Sequence, residues 1–173
     1  GNATTSIQNP YAQGNGWFVD KLTYVADANA EYAGVGRIDV SHEAVADKKF
    51  EPILGQTQTN DSTARVVLTK YEPNNMTYTV SSTKGGVVVF SEVYYPGWTA
   101  TIDGQPAELG RVNYILRALN VKAGKHEVVL DFHPTSISTT ETIAYAALIV
   151  LLLAICVAIY SEKKKAKNRL KDK

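Results

Sequence analysis

Apolar positions along the chain follow three patterns in turn. Up to residue 54 they are scattered. Residues 9–24 are Gly- and Asn-rich and then apolar, which predicts a loop entering a short strand around Trp17 to Val19. Asp27 followed by alanines in Asp27 to Ala33 predicts a short, weak helix with Asp27 as its cap. Residues 44–54 predict one or two short strands interrupted by Pro52, and the polar run 56–63 (QTQTNDST) marks a turn and the best internal boundary.

From residue 65 the β pattern becomes regular. Arg65 to Tyr71, Met76 to Ser81 and Val87 to Val93 are rich in Val, Thr and Tyr and are separated by Pro73-Asn74-Asn75 and Lys84-Gly85-Gly86. The third is almost wholly apolar, which places it centrally in a sheet. Trp98 to Ile102 reads as a strand entering a tight turn at Asp103-Gly104, a pair that supplies the positive φ angles of hairpin turns. Val112 to Leu119 alternates as a strand, Lys122 to Lys125 turns the chain, and Glu127 to Phe132 closes the series. Short strands at such even spacing predict a mainly β fold, a β-sandwich or jelly-roll-like domain over residues 1–134.

The pattern then changes again. Residues 135–142 read as a polar linker, and Ile143 to Tyr160 contains no charged residue. Its 18 residues would span roughly 27 Å as a helix, close to the hydrocarbon thickness of a bilayer. Ten of them are Ile, Leu or Val, each favouring insertion by about 0.3 to 0.6 kcal/mol. A buried core helix is the competing reading, but such a helix rarely lacks a polar face over this length. Tyr145 and Tyr160 lie near the two ends, and Lys163, Lys164 and Lys165 follow at once as topology anchors. Basic residues beside a span are retained in the cytoplasm, so the tail 161–173 is expected inside and the β-domain outside, in contact with membrane lipids. A cytosolic body on a tail anchor would put those lysines on the wrong side. The chain opens without a signal-like segment, so an exporting segment, cleaved or part of a longer protein, is expected upstream.

Composition sharpens these expectations. The 173 residues are 45% hydrophobic and 20% charged, with a mean hydropathy of −0.15 and a net charge of +1. The tail holds seven Lys/Arg against Glu162 and Asp172, so the first 160 residues carry a net −4. Phosphate recognition needs a clustered basic surface, which excludes a nucleic-acid-binding body. Cys156 is the single cysteine, so no intrachain disulfide is possible. His126 and His133 stand seven residues apart on one strand, on opposite faces, so a shared metal is not expected. No phosphate loop, dinucleotide fingerprint or nucleophile elbow occurs; no cofactor and no metal are expected. Asn-X-Ser/Thr at Asn2, Asn60 and Asn75 carries little weight, because sequons this short arise by chance.

Four residues stand out as candidate ligand contacts: Tyr94, Tyr95, Trp98 and Arg117. The aromatics flank Pro96-Gly97, a pair suited to a type II turn, and aromatic faces presented at a turn stack on the apolar faces of sugar rings. Large aromatics are generally buried for their area, however, which makes Trp98 a core anchor with the tyrosines covering its edge. Arg117 lies in an otherwise apolar strand. It is expected to pair with a buried acid rather than meet an anionic headgroup, because an unpaired buried charge costs several kcal/mol. Glu92, Asp103, Glu108 and Asp131 are the carboxylates of the regular β region. Glycoside hydrolysis needs two about 5 to 9 Å apart, a separation that strand spacing cannot establish. Asp103 is better placed to make the turn, and no residue here is expected to be catalytic.

The segments VVVFSEVYYPGWTATIDGQ and RVNYILRALNVKAGKHEVVLDFHP, followed by a terminal span with a lysine-rich end, resemble the C-terminal region of the bacterial YfhO family of membrane proteins. DANAEYAG, EAVADKKFEPIL and VVLTKYEPNNMTYTVSS fall in the family's order as well. The resemblance implies a polytopic protein similar to glycosyltransferases that use a polyprenyl-phosphate-linked sugar at the outer face of the bacterial cytoplasmic membrane. It also implies that the catalytic carboxylate belongs to an early external loop outside these residues. The expected role is then a non-catalytic extracytoplasmic domain plus final span, working with the upstream transmembrane part of the same protein on a glycan or lipid-linked sugar. The alternative, a single-pass surface binding or adhesion domain, predicts one cleavable segment upstream instead of many spans.

Overall fold

The computed structural model describes residues 9, 12–57 and 60–171, with the backbone alone for 135–139 and 164–171. It divides into two units, Gly1–His133 and Pro134–Lys173. In chain order the first holds β1 (Gly16–Val19), β2 (Lys21–Val25), α1 (Ala28–Val35), β3 (Glu43–Asp47), a 3-10 turn (Lys48–Phe50), α2 (Glu51–Leu54), β4 (Arg65–Glu72), β5 (Asn75–Ser82), β6 (Gly86–Val93), β7 (Trp98–Ile102), β8 (Gln105–Ala107), β9 (Gly110–Val112), β10 (Leu116–Val121) and β11 (Gly124–Phe132). The second is a single helix, α3 (Thr135–Lys171).

Two antiparallel sheets make the body, with strand orders β4-β5-β11-β7-β8 and β1-β6-β10-β9. Period-2 patterning sets their facing sides. On β5, Met76, Tyr78 and Val80 are buried while Thr77, Thr79 and Ser81 are less so. They meet Val88 and Phe90 of β6, Leu119 and Val121 of β10, and Val128 and Leu130 of β11 in one apolar cluster between the sheets. The mainly β fold is therefore a β-sandwich.

The four-stranded sheet is covered on its other side too. Four consecutive β6 residues, Val87 to Phe90, are fully buried. Val88 and Phe90 enter the cluster between the sheets, whereas Val87 and Val89 join Val19, Ala44, Phe50, Leu54, Val112 and Ala118 in a second cluster. A strand buried on both faces reads as a continuous apolar run, which is why this segment is nearly all Val and Phe. Each such side chain contributes about 1.5 to 3 kcal/mol on burial. The third layer is made by the chain before residue 55. There β2 and β3 pair in parallel, from Lys21 opposite Glu43 to Val25 opposite Asp47, with α1 as the crossover between them. Gly34 lets that helix lie close on β3, since a Cβ at this position would stand 3.2 Å from both Val45 methyls.

Several local expectations are corrected. Residues 44–54 hold one strand and then helical turns, not two strands broken by Pro52. Asp47 accepts from the Lys49 amide to start the 3-10 turn, and Pro52 sits in the first turn of α2, where its missing N–H costs nothing. Residues 112–119 are not one strand. Asn113 and Tyr114 both have positive φ (50° and 72°), and the chain folds back so that Leu116 faces Val112. Strand β2 and its parallel pairing have no signal in the apolar pattern; Asp20 breaks the run and moves the chain from one sheet to another. The Asp103-Gly104 turn has positive φ at both positions (52° and 76°), joining β7 to β8.

In the second unit, the stretch read as a linker over 135–142 is helical, continuous with α3. Pro134 stands just ahead of its first turn. The apolar part, Thr140–Lys163, has 24 residues; its most apolar 18 have a mean hydropathy of 2.8, and none of that stretch is buried. A helix this apolar with its Leu, Ile and Val side chains uncovered is long enough to cross a membrane. The burial that a soluble core helix requires is missing. Lys163 is exposed at its end, and the backbone at Lys164 and Lys165 continues the helix.

Candidate functional site

The aromatic turn begins where β6 ends. Tyr94 donates its amide to the Ile115 carbonyl (2.7 Å), and the Trp98 amide reaches the Tyr95 carbonyl (3.4 Å) across Pro96 and Gly97. Gly97, at φ 103°, takes the left-handed position of that turn, and its carbonyl accepts from His133 (2.7 Å). The strand register sets Trp98 opposite Phe132.

The turn divides its aromatics. Tyr94 packs into the second cluster, edge-on to Phe50 at 5.7 Å. Trp98 is half-buried against the cluster between the sheets, 5.2 Å from Phe132. Tyr95 is 61% exposed and leans on Phe132 at 6.3 Å. All three nevertheless line one cleft of about 550 Å³, together with Ile53, Pro106 and the exposed Glu108.

Arg117 does not line that cleft. It is 2% exposed, donates Nε–H to the Val93 carbonyl (2.8 Å) and lies 3.7 Å from the centre of the Trp98 ring. The expectation of a buried acid partner is thus corrected: no carboxylate among the described residues comes within ion-pair distance. Trp98 takes that place, because a ring face carries the negative side of its quadrupole. Burial pulls the Arg117 pKa down, opposed by the charge of Glu92. The neighbouring Tyr78 hydroxyl is pushed up to about 12, by burial first and by Glu92 second.

Two of the remaining candidate carboxylates, Asp103 and Asp131, are tied into separate local networks. Asp103 accepts from the Glu127 amide (2.8 Å) and pairs with His126 Nδ1 (2.6 Å). Those bonds hold its carboxyl below the usual range and raise the imidazole above its own. Asp131 accepts from the Asn75 side chain (2.9 Å). Among the described residues, no group of His, Cys, Asp and Glu is arranged to hold a metal. Of the sequons, Asn2 lies outside the described residues, and the Asn75 amide is engaged by Asp131.

One constellation escaped the sequence reading. Glu31 on α1 is fully buried, and accepts from Arg111 Nη2 (2.6 Å) and from the Tyr114 amide (2.9 Å). Asn113 exchanges bonds with Val45 of β3: its amide donates to the Val45 carbonyl (2.7 Å), and its Oδ1 accepts from the Val45 amide (2.9 Å). The β9–β10 hairpin is thereby pinned to α1 and β3. A lone Glu among alanines carries no sequence signal for this.

A β-sandwich followed by an exposed apolar helix of spanning length defines a membrane-anchored β-domain protein. The family model for the bacterial membrane protein YfhO matches residues 54–144, just over half of the chain. This chain belongs to the YfhO family of bacterial membrane proteins. The match runs from the end of α2 through the whole five-stranded sheet into α3, and so includes Tyr94, Tyr95, Trp98 and Arg117. No curated protein and no solved structure matches the chain.

Proposed function

We propose that the β-domain is a non-catalytic extracytoplasmic accessory domain of a polytopic membrane protein that uses polyprenyl-phosphate-linked sugars. In this reading its aromatic cleft receives the glycan part of the substrate. The observation that carries it is the joint placement of Tyr94, Tyr95 and Trp98 with Glu108 around one cleft. A solvent-facing tyrosine offers a stacking face, and a free carboxylate offers acceptors to sugar hydroxyls. Among the described residues no second acid lines that cleft with Glu108, so a two-carboxylate hydrolysis is not supported. The tail lies in the cytoplasm, where its lysines meet anionic lipids, and the upstream membrane part of the same protein supplies the chemistry.

Steady-state sugar transfer by the parent protein in membranes tests this. Tyr95→Ala and Glu108→Gln are expected to raise KM for the lipid-linked sugar about three- to tenfold, with kcat and melting temperature retained, because both side chains are exposed. A collapse of kcat at unchanged KM would make the domain catalytic, and unchanged kinetics would remove the cleft from function. Lys163 to Lys165 should escape an impermeant amine reagent on intact cells; labelling there would reverse the sidedness.

A further inference from the structure

The β9–β10 hairpin carries two adjoining clefts that share none of the residues of the aromatic turn. One, of about 540 Å³, is walled by Gln13, Asn15, Trp17, Val40, Asn113 and Ile115. The other, of about 520 Å³, is walled by Tyr32, Val35, Asn113, Tyr114 and Ile115. Val35, Asn113 and Ile115 border both. We propose that together they form an oligosaccharide subsite for uncharged sugar rings, stacked on Tyr32 and Tyr114 and hydrogen-bonded by neutral amide groups.

Four observations carry this. First, among the described residues no charged side chain lines either cleft, which disfavours both a phosphate and an ammonium group. Second, the aromatics are presented, not buried: Tyr32 is 70% exposed and Tyr114 42%, set edge to face at 5.5 Å. Third, Asn113 is only 7% exposed, yet its Nδ2 has no hydrogen-bond partner among the described residues. The bond from the Val45 amide identifies the other side-chain atom as the acceptor, so an unpaired donor lies beneath the wall the clefts share; it is shielded from solvent, and the exposed amide side chains of Gln13 and Asn15 are the ones that reach a ligand. Fourth, the backbone there is strained, and strain of this kind in a bulky residue persists only where surroundings hold it. Tyr114 keeps a φ of 72° because Glu31 accepts its amide. That fixes the Tyr114 backbone beside α1 before a ligand arrives.

Other occupants fit less well. An extended peptide would need a free strand edge, but β9 has only three residues, and the residue after it is already bonded to β3 through Asn113 and Val45. Lipid tails would meet the amides of Gln13, Asn15 and Asn113 in the walls.

The test uses the full chain in detergent micelles and the indole N–H resonances of its two tryptophans. Trp17 borders the proposed subsite and Trp98 the aromatic turn, so the two sites report separately. Maltotriose and the N-acetylglucosamine trisaccharide are titrated to about 10 mM, with inorganic phosphate and phosphatidylcholine bicelles as the competing probes. At least one trisaccharide should shift the Trp17 resonance saturably, and Tyr32→Ala and Ile115→Ser should each weaken that binding about fivefold without moving the melting temperature. Both replaced side chains are exposed, so folding is preserved. The proposal is overturned if neither sugar moves Trp17, if Trp98 alone moves, if both variants bind like the parent, or if only phosphate or bicelles give the shift. Movement of Trp98 alone would leave the aromatic-turn proposal standing.

Discussion

Arg117 and Glu31 solve the same problem in different ways. Each is a charge taken out of water, at 2% and 0% exposure. Arg117 is held by one carbonyl and a Trp98 face, with Nη1 lacking a partner among the described residues. Glu31 has a guanidinium and a backbone amide. Removing one side of a buried pair strands the other, so Glu31→Ala should lower unfolding free energy by about 3 to 5 kcal/mol in denaturant titration. Trp98→Ala should cost about 2 to 4 kcal/mol by the same measurement, because it uncovers Arg117 as well as leaving a void.

The His126–Asp103 pair makes a pH prediction. The imidazole pKa is raised above 6.5, first by its hydrogen bond to Asp103. Its stabilising contribution is therefore complete below 6.5 and lost as pH rises through the folded value. The Asp103 pKa is lowered from 3.8, first by the same bond, so its contribution is present above 3.8 and lost as pH falls through the folded value. Both contributions coexist between these limits. Melting temperatures of the parent and His126→Gln should converge above the folded histidine pKa and differ most near pH 5; an equal difference at pH 9 would assign the effect to packing.

At the level of elements, α1 decides whether the third layer forms. Its hydrophobic side is slight, and the helix depends on its cap: Asp27 accepts from the Ala30 amide (2.9 Å). Asp27→Ala should cost about 1 kcal/mol, with faster amide exchange in α1 than in β5 or β11. The elements most legible in the sequence are those whose pattern has one cause. β5 alternates because one face is buried, and β6 runs apolar because both are. The β9–β10 hairpin is illegible for a related reason. Val112 to Leu119 alternates well enough for a strand, but Glu31 and Val45, distant in sequence, capture Asn113 and Tyr114 and turn the chain. The polar text of 135–142 resembles a linker, yet it continues the helix.

For the whole molecule, the span is the feature that composition alone dictates. An Arg at its centre should oppose insertion by about 2.5 to 3.5 kcal/mol, so Leu152→Arg should shift the protein out of the alkali-resistant membrane fraction. The candidate site was only partly legible. Tyr94, Tyr95 and Trp98 announce themselves as an aromatic turn, but which of them faces solvent depends on Phe50 and Phe132 across the fold. The sequence around Arg117 predicts half of an ion pair, and the sandwich supplies an aromatic ring instead.

The amino-acid order by itself determined the β-rich body, the apolar helix of spanning length and the family, because each is written in local periodicity or in a contiguous run of residues. Tertiary structure decided the third layer, the partner of Arg117 and the pinned hairpin of Asn113 and Tyr114. Those rest on contacts between residues far apart in the chain, whose energies appear only when the sheets bring them together.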